Sequence, residues 1–105
     1  MAEGTIKVRI KRAGAITTVR TLIRHPMETG MRENKKTGEK IPAHYITEVI
    51  CQHNGNKVMQ ANWSQGVSKN PYFSFKFRGA KAGDSLQISW VDNKGDSDVT
   101  EVSIK

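Results

Sequence analysis

Apolar and polar residues alternate with a period of two along most of the chain. Ile6, Val8 and Ile10 alternate with Lys7, Arg9 and Lys11, the signature of a half-buried strand with a basic outer face. Ala13-Gly14-Ala15 turns that strand, and the next run, Ile16 to Arg24, is rich in β-branched residues. Ile16 and Val19 fall out of step there, which predicts a bulge or burial on both faces. Tyr45 to Gln52 is apolar on both faces, as expected of a central strand covered from two sides. Asn54-Gly55 then predicts a tight hairpin, because both positions tolerate positive φ, and Val58 to Trp63 supplies the returning strand. Pro71 opens a strand with Phe73, Phe75 and Phe77 on one face and Tyr72, Ser74, Lys76 and Arg78 on the other. Leu86, Ile88 and Trp90 alternate inward, Asn93 to Asp96 closes another hairpin, and Val99 to Ile104 is the last strand.

Residues 25 to 43 break the alternation. This stretch holds Pro26, Pro42, Gly30, Gly38 and a cluster of charges, and reads as a long loop of the kind that usually carries function. No segment has the period of an amphipathic helix. About seven strands separated by turns, without an internal repeat, predict an immunoglobulin-like antiparallel β-sandwich, an all-β fold in a single domain spanning 1–105. The single cysteine rules out the inter-sheet disulfide of antibody domains, so the likeness is to the architecture alone.

With 36% hydrophobic and 26% charged residues in 105, the composition is that of a globular chain able to build one core without disulfides. No stretch approaches the ~20 apolar residues that cross a membrane, and MAEGTIKVRIKR shows no apolar h-region followed by a small-residue cleavage site, so no export signal is expected there. Seventeen Lys and Arg against ten Asp and Glu leave a formal charge of +7. The cations are scattered along the sequence with no dense block, so the charge is expected to serve acidic protein surfaces, with only weak nucleic-acid affinity. The run from Pro71 to Arg78 resembles a base-stacking platform, but its phase turns all three Phe inward.

Four side chains could carry chemistry: Cys51, His25, His44 and His53. Cys51 lies in the most apolar strand, where a free thiol packs as a small hydrophobe. His53 follows at i+2 on the same face and is expected at an exposed strand end. His44 lies an odd number of positions from Cys51, so the two face apart unless a bulge intervenes. No His–acid pairing, nucleophile elbow or phosphate loop is readable from spacing. These residues therefore predict no catalytic group, no cofactor and no metal.

Five segments, HPMETGMR (His25 to Arg32), KKTGEKIPAHYI (Lys35 to Ile46), NGNKVMQANW (Asn54 to Trp63), VSKNPYFSFKFRGAKAGD (Val67 to Asp84) and ISWVDNKG (Ile88 to Gly95), resemble the SoxZ family of sulfur-oxidation carrier subunits. The resemblance covers nearly the whole chain. It implies a heterodimer with SoxY, whose own cysteine near its C-terminus carries pathway intermediates during thiosulfate oxidation, with transient visits to other enzymes of the pathway. It also implies a periplasmic location, reached by export with the partner on the partner's twin-arginine signal. On this reading Cys51 is not the carrier, and the isolated subunit is expected to self-associate. The partner contact is expected on the long loop, at His25, Pro26, Met27, Met31 and Arg32, where two methionines put adaptable apolar groups among charges. A second resemblance comes from another class: His25-Pro-Met27 and His44-Tyr-Ile46 are similar to iron-binding pieces of superoxide reductases. That alternative lacks the Cys–His pair near the chain end and a histidine upstream of His25, and two histidines alone would hold ferrous iron poorly.

Overall fold

The structure is a computed structural model that describes residues 3–105. Seven strands occur in chain order: β1 (Ile6–Ala13), β2 (Ile16–Ile23), β3 (Ile46–His53), β4 (Asn56–Asn62), β5 (Tyr72–Arg78), β6 (Ser85–Asp92) and β7 (Ser97–Ser103). All pair antiparallel in two sheets, β1-β2-β5 and β4-β3-β6-β7, with no helix among the described residues. This is the immunoglobulin-like sandwich expected from the alternation. Asn54 and Gly55 turn β3 into β4 with φ of 49° and 83°, the paired positive values that such a two-residue hairpin requires.

The core lies where the inner faces meet. Val19 and Ile23 from β2, Ile46, Val49 and Cys51 from β3, and Leu86, Ile88 and Trp90 from β6 are all buried, with Ile104 closing one end. Phe73, Phe75 and Phe77 point inward as the phase of β5 demands, but they remain half-buried along the flank between β5 and β4. Trp63 packs edge-on against Phe73 there, with ring centroids 5.7 Å apart.

Three expectations about the strands change. β2 has no bulge: its register with β1 and β5 is unbroken and its burial alternates strictly. The inward positions are Thr17, Val19, Thr21 and Ile23, so the residue out of step is Ile16, which faces solvent. The irregularities fall in β3 instead, where register shifts between Ile46 and Glu48 against β6 and between Cys51 and Gln52 against β4. The first lets Ile46 share the inner face with Val49 and Cys51 at an odd spacing. Strand β3 is central in its sheet, yet the second sheet covers only one of its faces; Ile50, on the other, lies beside outward Ser89 and Gln60.

Residues 25 to 43 are not a shapeless loop. The pairs Glu28–His44 and Glu33–Lys40 bridge antiparallel, and the Ile41 N–H donates to the Arg32 carbonyl at 2.8 Å. The segment is thus a narrow two-stranded arm, turning at Lys35-Lys36-Thr37, with residues 31 to 40 all exposed. It helps stretch the molecule to 54 × 22 × 19 Å.

Thr17 and Thr21 are fully buried with hydroxyls that have no hydrogen-bond partner. A buried hydroxyl without a partner carries a desolvation penalty that an isosteric methyl avoids. Thr17→Val and Thr21→Val are each expected to stabilise the fold by about 1 kcal/mol, read from the midpoint of urea unfolding.

Candidate functional site

The densest polar cluster gathers at one end of the sandwich, where the arm leaves the body beside the β6–β7 turn. Its centre is Asp92, the last residue of β6, whose side chain is fully buried. Oδ1 accepts the backbone N–H groups of Lys94 and Asp96, at 3.0 and 2.9 Å, and so shapes the turn. Oδ2 receives both His25 Nε2, at 3.0 Å, and His44 Nε2, at 2.8 Å. One carboxylate thus fastens the turn, the entry to the arm and its exit. The two imidazoles meet edge to face at 4.5 Å, and Trp90 stands against His25 at 5.1 Å.

Neighbouring contacts complete this end. The Trp90 indole N–H donates to the Thr5 hydroxyl at 3.0 Å, and the Thr5 N–H and O–H both donate to Asp98 Oδ2, at 2.9 and 2.6 Å. His25 N–H donates to the Asn70 side-chain oxygen, and Asn70 N–H donates back to the His25 carbonyl. Met27 is buried, held at φ 50°, and its sulfur receives the N–H of Ile46 at 3.3 Å. That N–H belongs to the residue where β3 breaks register with β6, so the thioether serves a backbone donor beside the bulge.

Charge follows from this burial. Loss of solvent pushes the His25 pKa down and outweighs the opposing hydrogen bond to Asp92. For Asp92 burial acts upward, but the hydrogen bonds from His25, Asp96, His44 and Lys94 prevail and hold it below the usual carboxylate range. The site is therefore a neutral imidazole against an ionised carboxylate.

The ligand atoms of His25, His44 and Asp92 lie within 4.8 Å of one another, close enough to suggest a metal. The backbone argues otherwise. The Met27 N–H donates to His25 Nδ1 at 3.1 Å, so the ring keeps its lone pair on Nδ1 and its proton on Nε2. Metal-bound imidazoles need the reverse, a lone pair toward the ion and a proton toward an acceptor. His25 is built as a hydrogen-bond donor to Asp92, and the three residues do not fit the iron suggested by the second resemblance.

The remaining reactive groups are placed as follows. Cys51 has no solvent exposure, and burial pushes its thiol up to about 12. His53 is not the exposed residue expected: it is half-buried, lies 2.7 Å from Asp84 and packs on Phe77 at 5.1 Å. Asp84, which also caps the Lys81 N–H, is held down to about 2 by that backbone bond first and by His53 second. Of the five residues expected to contact a partner, His25 and Met27 are buried in the body and cannot form a surface. Pro26, Met31 and Arg32 are exposed, Met31 at 78%, and Arg32 forks onto Glu28 at 2.9 and 2.5 Å. Asp92, Asp98 and Thr5 went unforeseen, because their partners lie 48 to 93 positions away and no local spacing announces them.

Seven antiparallel strands in two packed sheets define the chain as an all-β module of the immunoglobulin-like sandwich class. The family model described as Sulphur oxidation protein SoxZ matches residues 6–103. The chain belongs to the SoxZ family of sulfur-oxidation proteins. No curated protein matches it. Among solved structures it is similar to the hypothetical protein PH1083 from Pyrococcus horikoshii OT3, with a TM-score of 0.69 and 17% identity over 96% of this chain and 88% of that one. It is also similar to a superoxide reductase in the oxidised state, with a TM-score of 0.66 and 16% identity over 96% and 87%. At these identities the likeness is one of fold.

Because the folded state holds His25 below its ordinary value, the unfolded chain binds more protons as pH falls. Stability is expected to be complete above pH 6.5 and to decline on acidification below it, with further loss as Asp92 protonates below its ordinary value of 3.8. Urea unfolding at pH 7.5 and pH 5 measures this, and equal midpoints would contradict it. Asp92→Ala, which strands four donors, is expected to cost about 3 kcal/mol in the same assay at pH 7.5.

Proposed function

We propose that this chain is the non-catalytic half of a SoxYZ carrier: it pairs with a SoxY chain whose own cysteine bears the sulfur intermediates of thiosulfate oxidation. The observation that carries this reading is Cys51. A carrier thiol must ionise and reach several enzymes, whereas this one has no exposure and a pKa of about 12. The sulfur attachment point therefore belongs on another chain.

Open surfaces support a permanent partner. Ile50, Val91 and Val99 project from the outer face of the four-stranded sheet, among Gln60, Ser89, Gln52 and Gln87. Val91 and Val99 are 43% and 44% exposed. β4 and β7 leave sheet edges unpaired, and such edges are normally covered or blunted. The arm adds Met31, an adaptable apolar side chain held out in solvent. On this reading the assembly works in the periplasm, exported with its partner.

Co-expression with a SoxY chain is expected to give a stable heterodimer on size-exclusion chromatography, with the lone subunit self-associating. Intact-mass analysis after thiosulfate turnover should find added sulfur on the SoxY chain alone. A sulfur adduct on this chain that disappears in Cys51→Ala overturns the non-catalytic reading, and a monomer that fails to capture SoxY overturns the pairing. Met31→Asp is expected to weaken pairing several-fold without lowering the melting temperature, while Met27→Asp, placed in the core, should unfold the chain.

A further inference from the structure

Folding gathers cations that the sequence scatters. Directly opposed residues in an antiparallel sheet share a face, and the registers of β1, β2 and β5 put Lys7, Leu22 and Tyr72 in one row. Arg9, Arg20 and Ser74 form the next, followed by Lys11, Thr18 and Lys76, and then by Ala13, Ile16 and Arg78. The outer face of this sheet therefore holds Lys7, Arg9, Lys11, Arg20, Lys76 and Arg78 and not one carboxylate. All six cations are exposed, and none has a hydrogen bond or ion pair from its side chain among the described residues.

Ordinary surface chemistry does not account for this. Lysines on the edge strands β1 and β5 would suffice to discourage edge-to-edge pairing. Arg20, however, is on the central strand, directly across from Arg9, where like charges are destabilising. A face meant only for solvent mixes both signs, and the opposite sheet does so, with Glu48, Glu101 and Lys57 among neutral residues. The positive charge is concentrated on one side of the sandwich.

We propose that the outer face of β1-β2-β5 is a docking surface for an acidic protein patch on the enzymes that act on the carrier. This rests on the SoxYZ reading and adds to it a second surface, distinct from the neutral face and the arm. Protein fits the face better than nucleic acid does. Leu22, Ile16 at 38% exposure and Tyr72 at 61% are interleaved with the cations, the mixture of Arg, Tyr and apolar groups that protein interfaces favour. A single-strand binder needs a series of rings for stacking, whereas only Tyr72 lies outside and the three Phe face the core. A hollow lined by Lys7, Arg9, Arg20, Leu22 and Tyr72 offers the contact a centre.

Size sets the lifetime. Three strands at ~4.8 Å spacing and seven residues at ~3.4 Å make a face of a few hundred Å², below the ~800 Å² per partner of a lasting complex. The contact is therefore brief, and its strength lies in the encounter rate, which complementary charge raises at low salt. A carrier that must leave each enzyme needs such a contact.

Arg20→Glu with Lys76→Glu tests the proposal, because the carboxylate placed on β2 would sit opposite Arg9 and should not harm the fold. Lys81→Glu with Lys94→Glu, in turns away from the face, makes the same change in net charge. Each is purified as the heterodimer with SoxY and assayed with the purified sulfur-oxidation enzymes for thiosulfate-dependent turnover between 25 and 300 mM NaCl. The face variant should lose about tenfold in kcat/KM at the lowest salt with kcat kept, and the difference should shrink as salt rises, as screening requires. The turn variant should lose less than twofold. Equal losses in both variants, or no loss in either, overturn the proposal. So does failure of the face variant to pair with SoxY, which would make this face the pairing surface. Nanomolar binding of a 20-nucleotide single strand at 0.15 M NaCl, abolished by the face variant, would reassign the face to nucleic acid. Wild-type chain that does not pair with SoxY would refute the underlying reading instead, and chromatography shows this before any rate is measured.

Discussion

The carboxylate of Asp92 is the constraint on which this end of the molecule depends. Buried and ionised, it would be intolerable alone, and it persists because four donors surround it: two backbone N–H groups from the β6–β7 turn and two imidazoles from either side of the arm. Each partner comes from a segment that lies outside the seven strands. Without Asp92 the turn loses its cap and the arm loses both clamps, and Met27, whose sulfur serves the N–H at the β3 bulge, loses the support of His25. The same carboxylate explains why two histidines and an acid converge without forming a metal centre, since the Met27 N–H commits His25 to donating rather than ligating.

What could be read from the sequence follows the reach of each physical signal. The seven strands, the Asn54-Gly55 turn and the inward phase of the three phenylalanines are local, and side-chain alternation shows them directly. Ile16 misled because a β-branched residue at a strand end suggests burial, whereas the buried face of β2 is completed by two threonines. The β3 bulges left no trace, because Ile46 and Ile50 look equivalent until the pairing with β6 places them on opposite sides. The arm was hidden by its composition: its ladder is held by main-chain bonds and a few bridges that need no apolar alternation.

The polar node was illegible for a different reason. Histidine motifs at His25 and His44 were visible and drew a comparison with an iron site, but the residue that decides their chemistry is 48 positions beyond His44. Its nearest sequence neighbours present it as a turn aspartate, which it also is. Charge behaved similarly. Cations spaced two apart along β1 and β5 and a lone arginine on β2 look dispersed in one dimension, and only the register of three strands makes them one surface.

The arm divides the labour between permanence and change. Its root is fastened by Asp92 and by the Met27 side chain, but from residue 31 to residue 40 no side chain enters the core. Lengthening, shortening or recharging that stretch would alter the reach and the company of the molecule at almost no cost to folding. A lineage that needed a new fit could therefore rewrite the tip freely while the sandwich beneath it stayed the same.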